Sequence, residues 1–255
     1  MKNHIVILHQ YKRALLCPSH SVNCLIIETL LRLHQIPYKS HSNYYYKGQT
    51  DKIPLIQYGK TKVHGFEAIM AFLQEKFSIK LQDYDELNLG LYKAFQCFIF
   101  AKLLPLLELD RYSFHTWNDY NQLVPGLMPN YLRFYNYYKW KKMGRKMLQN
   151  HIAKNGNYTA KNGNYIAKNG SHVSEIVNFV ICISQLLADD AYFFAGKTCN
   201  LMDILIFAIW SQILFVTPCK NEFRKMALLE KCKNVMRHHT KMKDLLFPDW
   251  THLST

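Results

Sequence analysis

CPSHSVNCLIIETLLRLHQIPY, from Cys17 to Tyr38, reads as a polar turn, a long apolar helix and the start of an extended segment. Val22, Leu25, Ile26, Thr29, Leu30 and Leu33 recur at helical spacing, while Cys24, Ile27 and Leu31 fill a second apolar face, so the helix is sandwiched between two layers. Ser19 or Ser21 is placed to cap its first turn, and Pro37 stops it. A short apolar run, HIVILH from His4 to His9, precedes the stretch and predicts a buried strand. Polar side chains therefore gather at the start of a helix, where free backbone N–H groups and the helix dipole favour a thiolate or carboxylate.

Working outward, Tyr38 to Tyr46 predicts a second strand. Leu55–Tyr58 and Thr61–His64 predict a hairpin through Gly59-Lys60, and a helix follows from Phe66 to Phe77. Pro54, at the mouth of the third strand, fits an edge position or a cis bond that reshapes the turn. Beyond Ser78 the pattern is helical only. Asp83 with Glu86 predicts a capping box that opens a helix running to Leu104 and stopping at Pro105. Further helices are expected at 105–112, 129–150, 172–187, 200–216 and about 222–247. In Asn200-Leu-Met-Asp203, Asn200 caps and Asp203 reaches back, a folding feature rather than a catalytic one. The adjacent pair His238-His239 points apart on its helix and makes no metal pair.

The chain of 255 residues is 49% hydrophobic, enough for a substantial core, and carries a formal net charge of +14. The start of the chain lacks a signal-peptide pattern, and no run of about 18 uninterrupted apolar residues predicts a membrane span. Seven scattered cysteines without a CxxC pair fit reduced thiols in the cytoplasm. From Tyr120 to Ser174 there is no acidic residue, while Arg133, Lys139, Lys141, Lys142, Arg145 and Lys146 accumulate among aromatics. That zone is either a solvated helix face or a surface for anionic lipid or nucleic acid. IAKNGNY, TAKNGNY and IAKNGSH, from Ile152 to His172, repeat with a period of seven and predict an exposed inserted loop rather than a heptad seam.

PSHSVNCLIIETLLRLHQIPY resembles the failed axon connections and metaxin-like branch of the glutathione S-transferase fold. Pro18, Ser19, Ser21, Cys24, Leu25, Glu28, Thr29, Leu31, Arg32, Ile36, Pro37 and Tyr38 carry the likeness, and Val22-Asn23 depart from the branch's Pro-Phe. Lys52-Ile53-Pro54 and Phe194-Ala195-Gly196 add to it. The resemblance implies an α+β protein: a thioredoxin-like domain over residues 1–78 with a mixed four-stranded sheet, then an all-α domain over 79–255 carrying the repeat at 152–172.

It also implies a ligand. Glutathione chemistry needs a hydroxyl or thiol near the first helix's N-terminus, because the thiolate is the nucleophile. Ser21 stands where the resemblance places that group, with Cys24 one turn on and Cys17 in the preceding loop. Each has a plainer alternative: Ser21 a cap, Cys24 core, Cys17 a loop thiol. For glutathione binding the resemblance implicates Ile53 ahead of Pro54, Lys52 beside them, and Glu67-Ala68, where the family's acid is kept and its serine is lost. One missing hydrogen bond to a charged ligand group costs about 1.5–3 kcal/mol, roughly ten- to a hundredfold in affinity. The expectation is a glutathione S-transferase-like adaptor or weak thiol transferase, with an active transferase using Ser21 and a basic binding module through 131–170 as alternatives. Glutathione or another small thiol, a second copy of the chain, and a membrane periphery such as the mitochondrial surface implied by metaxins are the expected partners; nucleic acid is disfavoured.

Overall fold

The computed structural model describes residues 5–11, 13, 16–43, 53–79, 85–112, 117, 130–155, 158–161, 164–167, 172–216 and 230–253. Strand β1 (Val6–Tyr11) alternates between buried and half-buried side chains and runs parallel to β2 (Tyr38–Asn43), with Val6 opposite Tyr38. Its other edge pairs antiparallel with β3 (Leu55–Tyr58), which turns through Gly59 (φ 60°) into β4 (Thr61–His64). The order is therefore β2-β1-β3-β4, a mixed four-stranded sheet. Helix α1 (Val22–Leu33) joins β1 to β2 as a parallel crossover, and α2 (Phe66–Phe77) follows the hairpin.

Every residue of α1 from Cys24 to Leu31 is buried, since the helix lies between the sheet and the central helix α7 (Leu201–Phe215). The two apolar faces read from the sequence are these two contacts. Leu201 to Ile213 in α7 are likewise all buried, as expected for a helix apolar around its whole circumference.

Two expectations for the next segment fail. The cap is Asp85, whose Oδ1 accepts from Asn88 N at 2.7 Å, while Asp83 lies outside the described residues. Nor does Pro105 end the helix. Helix α3 (Glu86–Phe98) passes through a π turn at Ile99–Leu103 straight into α4 (Leu104–Tyr112), with Leu104 N donating to Ile99 O. A π turn widens the helix just before the proline, where an ordinary turn would bring the ring against a carbonyl. The continuous stretch Glu86–Leu109 is long and apolar enough to cross a membrane by length and composition, although Lys93 and Lys102 interrupt it.

Helix α5 (Asn130–Asn155) runs further than the periodicity predicts, into the first AKNG unit. The remainder of the repeat is not simply loop: β5 (Tyr158–Lys161) and β6 (Asn164–Ala167) pair antiparallel, flanking an Asn-Gly of the kind that favours two-residue hairpin turns. Helices α6 (His172–Leu187), α8 (Lys233–Leu246) and α9 (Trp250–Leu253) complete the helical half. The part of the last expected helix before residue 230 lies outside the described residues.

The C-terminal segment returns to α1. Arg32 donates to both oxygens of Asp249 (2.6 and 2.9 Å) and to Leu246 O (3.0 Å), and its guanidinium lies 4.4 Å from the Phe247 ring centre. Trp250 Nε1 donates to Leu16 O at 3.3 Å.

Candidate functional site

The loop before α1 and the helix's first turn form one polar knot. Ser21 is the N-cap: its Oγ accepts from Cys24 N at 3.3 Å, while its own N–H donates to Ser19 Oγ at 3.2 Å. The helical half pins the loop from outside. Arg111 in α4 donates to His20 O (3.0 Å) and to Gln212 Oε1 (2.7 Å), and Gln212 Nε2 in α7 donates to Ser19 O (2.9 Å).

This geometry separates the three candidates. Cys17 and Cys24 are fully buried, and burial pushes each thiol up to about 12 despite nearby hydrogen-bond donors, so both are protonated at neutral pH. Ser21 is half-buried. Its cap uses an oxygen lone pair, so its proton is not fixed by the cap and can reach the neighbouring Cys24 thiol. His20 is buried with neither ring nitrogen hydrogen-bonded; burial, then the Arg111 charge, lowers it to about 3. Asn23 Oδ1, in the same turn, is also buried without a partner.

The second group of candidates assembles beside the sheet. The Ile53–Pro54 bond is cis, Pro54 is buried and Ile53 half-buried. Gly65, the N-cap of α2, donates its N–H to Pro54 O at 3.3 Å, which brings the cis-proline turn to the N-terminus of α2. Gly65 has φ +87°, a backbone state that costs glycine little. Glu67 and Ala68 follow in the first turn, both exposed, and Lys52 lies outside the described residues. Tyr92 in α3 stands near Glu67: burial first, then that carboxylate, pushes its phenol up to about 12. Among the described residues Ser21 shares no hydrogen bond with this second group, so the two halves of the candidate site are linked by the fold rather than by direct contact.

Glu28, one of the residues that carries the family likeness, lies inside instead. Its fully buried carboxylate accepts from both Arg13 nitrogens (2.6 and 2.7 Å), from Gln10 Nε2 (3.0 Å) and from Tyr38 OH (2.8 Å), while Arg32 Nε donates to that same phenol at 2.7 Å. Burial pushes the Glu28 carboxyl up, but the Arg13 bonds and charge, with Gln10 and Tyr38, outweigh it and hold it below the ordinary range. Glu28, Arg32 and Tyr38 are thus a joint between the sheet, α1 and the C-terminal segment, with the Glu28 carboxylate sealed at its centre and Arg32 and Tyr38 half-buried around it.

A second buried polar centre sits at the start of α7. Asn200 and Asp203 form a full capping box, with Asp203 Oδ2 accepting from Asn200 N at 2.7 Å. Asp203 Oδ1 also accepts from Phe193 N (3.0 Å) and lies 2.7 Å from His238 Nε2. His239 points the other way, with Nε2 3.0 Å from Ser211 Oγ, and burial, then the neighbouring His238 and Lys243, lowers it to about 3. A separate cavity of about 510 Å³, lined by His34, Ile36, Phe77 and Ile79, lies at the far ends of α1 and α2 and has no part in this chemistry.

Sequence reasoning missed His20, Tyr92, Arg111 and Gln212. The last three reach the candidate site from distant helices, which periodicity does not reveal; His20 stood inside the quoted stretch, but nothing in its spacing distinguished a buried imidazole from an exposed one.

Comparison with known proteins agrees with this architecture. The pattern of the glutathione S-transferase N-terminal domain matches residues 22–119, and that of the glutathione S-transferase C-terminal domain matches residues 180–242. Failed axon connections of Drosophila melanogaster is 25% identical over 266 aligned residues, covering 98% of this chain; the chain spans 60% of that relative's length. A glutathione transferase from Phanerochaete chrysosporium superposes with a TM-score of 0.62 over 95% of this chain and 98% of its own, at 12% identity. A glutathione S-transferase of Ceriporiopsis subvermispora, solved in complex with glutathione, does so with 0.59 over 94% and 97%, at 15% identity. The two domain patterns together span most of the chain, which belongs to the glutathione S-transferase-fold superfamily and is similar, within it, to failed axon connections.

Proposed function

We propose that the chain is a glutathione S-transferase-like adaptor that holds a small thiol, glutathione foremost, weakly between the start of α1 and the start of α2, and that it transfers that thiol slowly at best. The observation that carries this reading is the division within the first loop: Ser21 keeps a reachable hydroxyl at a helix N-terminus, while Cys17 and Cys24 are sealed and protonated. Ser21 can donate to a bound thiolate, and the helix dipole favours the charged form. Against that stands Ala68, which offers no hydroxyl at the start of α2. The reading places the protein in the cytoplasm, where unpaired thiols stay reduced.

Calorimetric titration of the full chain with glutathione tests it. Saturable binding in the millimolar range, about −4 kcal/mol, is expected, with transfer to an electrophilic aryl halide barely above the uncatalysed rate. Absence of heat at glutathione concentrations well above that range removes the ligand; fast turnover abolished by Ser21→Ala instead makes the chain an active transferase.

A further inference from the structure

Helix α5 leaves an uncovered face whose chemistry is unlike the rest of the surface. Tyr137 and Gly144 are buried on one side, whereas Phe134, Tyr135, Tyr138, Lys139, Lys142, Arg145 and Lys146 are exposed. At 3.6 residues per turn these seven fall within roughly 140° of arc. They are also sorted along the helix. The three rings occupy the first turns, with Phe134 66%, Tyr135 71% and Tyr138 62% exposed, and the four cations occupy the following turns. None of the four cations is paired with a carboxylate among the described residues, and the sequence from Tyr120 to Ser174 contains no acid to pair with.

We propose that this face of α5 docks on an anionic lipid bilayer, with Phe134, Tyr135 and Tyr138 entering the interfacial layer and Lys139, Lys142, Arg145 and Lys146 lying on the headgroup phosphates and carboxylates. The charge selects the occupant. A second copy would bring a like-charged face against this one, which is repulsive at contact. Single-stranded nucleic acid would match the charge but needs open ring faces to stack on. Here two of the three rings are set against others: Phe134 meets Tyr138 at 81° with centres 5.7 Å apart, and Trp117 meets Phe134 at 60° and 5.9 Å. Phe134 and Tyr138 present edges and apolar bulk, which a lipid interface accepts, since aromatic side chains partition to the headgroup level and cations to an acidic surface.

The test is flotation of the full chain with vesicles of phosphatidylcholine alone and with phosphatidylserine as roughly a third of the lipid. Binding is expected only to the acidic vesicles and falls steeply with salt. At about fivefold per cation near such a surface, the variant K139Q/K142Q/R145Q/K146Q loses roughly two to three orders of magnitude in partition. F134S/Y138S weakens binding while leaving the salt dependence in place. Circular dichroism checks that both fold; if either does not, the lipid and salt dependence of the unaltered chain decides. Equal partition onto both vesicles, no binding at low salt, tighter binding to a homopolymeric RNA, or a dimer dispersed by Phe134→Ser each overturns the proposal. None of these readouts involves glutathione, so the proposal and the thiol-ligand reading succeed or fail separately.

Discussion

Helices α1 and α7 pack against each other, and both begin with a side-chain cap, yet the two N-termini are finished to different degrees. At α7 the cap is complete: Asn200 Oδ1 accepts from Met202 N and Asp203 N, and Asp203 accepts from Asn200 N and Phe193 N while holding His238 Nε2, so that His238 Nδ1 alone is left buried without a partner among the described residues of this centre. At α1 the cap is one long hydrogen bond, and His20 and Asn23 leave polar atoms buried without partners. Buried polar groups are ordinarily satisfied, so the α7 start is a structural joint and the α1 start is a place where the protein accepts a cost. On the thiol-ligand reading proposed above, that cost falls where the ligand's thiolate would need a donor.

The largest effect should come from breaking the finished end. Asp203→Ala orphans two buried backbone N–H donors and the His238 nitrogen, an expected loss of about 3 kcal/mol or more, read as a fall in the denaturation midpoint. Ser21→Ala removes a single cap, about 1 kcal/mol. If the two variants lose equal stability, the contrast between the helix starts is wrong.

Acid provides the next test. His20 beside α1 and His239 beside α7 are both held neutral by burial, each lowered to about 3. The unfolded chain takes up these protons near pH 6.5 and the folded chain does not, so each histidine's contribution is intact above that pH and is lost as pH falls toward 3, with a slope of about 1.4 kcal/mol per pH unit. Chemical denaturation at stepped pH should therefore show weakening that begins above the carboxylate range. His20→Leu should remove one share of that slope and, by deleting two unpaired nitrogens, leave neutral stability equal or higher. His239→Leu removes its share of the slope and takes one of two partners from Ser211, whose hydroxyl keeps its bond to Phe207 O at 2.7 Å. Stability that stays flat between pH 6.5 and 5 would refute the assignment of either imidazole as neutral and buried.

The same contrast explains what could be read from residue order. The capping box at Asn200-Asp203, the hairpin at 55–64 and the sandwiched helix after Ser21 are local patterns whose physics lies within a few residues, and they stand where the spacing put them. Pro105 misled because the π turn that accommodates it is a backbone adjustment with no residue signature of its own. The AKNG units misled because Asn-Gly marks a turn without saying whether its flanks pair. At the candidate site Ser21 and Pro54 were legible through the family likeness, whereas the surroundings of Cys17 depend on Gln212 in α7 and Arg111 in α4, more than 80 residues away along the chain. Glu28, Arg32 and Tyr38 were legible as a motif but not as a joint, because Arg13 and Asp249 complete it from outside the quoted stretch.

The smallest effect in stability should be the most informative for ligand binding. Ala68 is exposed in the first turn of α2, where a serine adds a hydroxyl without disturbing the core. Ala68→Ser should change stability by no more than a few tenths of a kcal/mol, yet raise glutathione affinity about tenfold by restoring one hydrogen bond to a charged group. Ser21→Ala should lower that affinity by a similar factor, and the double variant should return near the starting value, because the two groups sit on different helices and share no direct bond. Calorimetry on the four proteins closes the cycle. An unchanged affinity in Ala68→Ser would mean that the start of α2 does not face the ligand, leaving α1 alone with its unfinished polar groups.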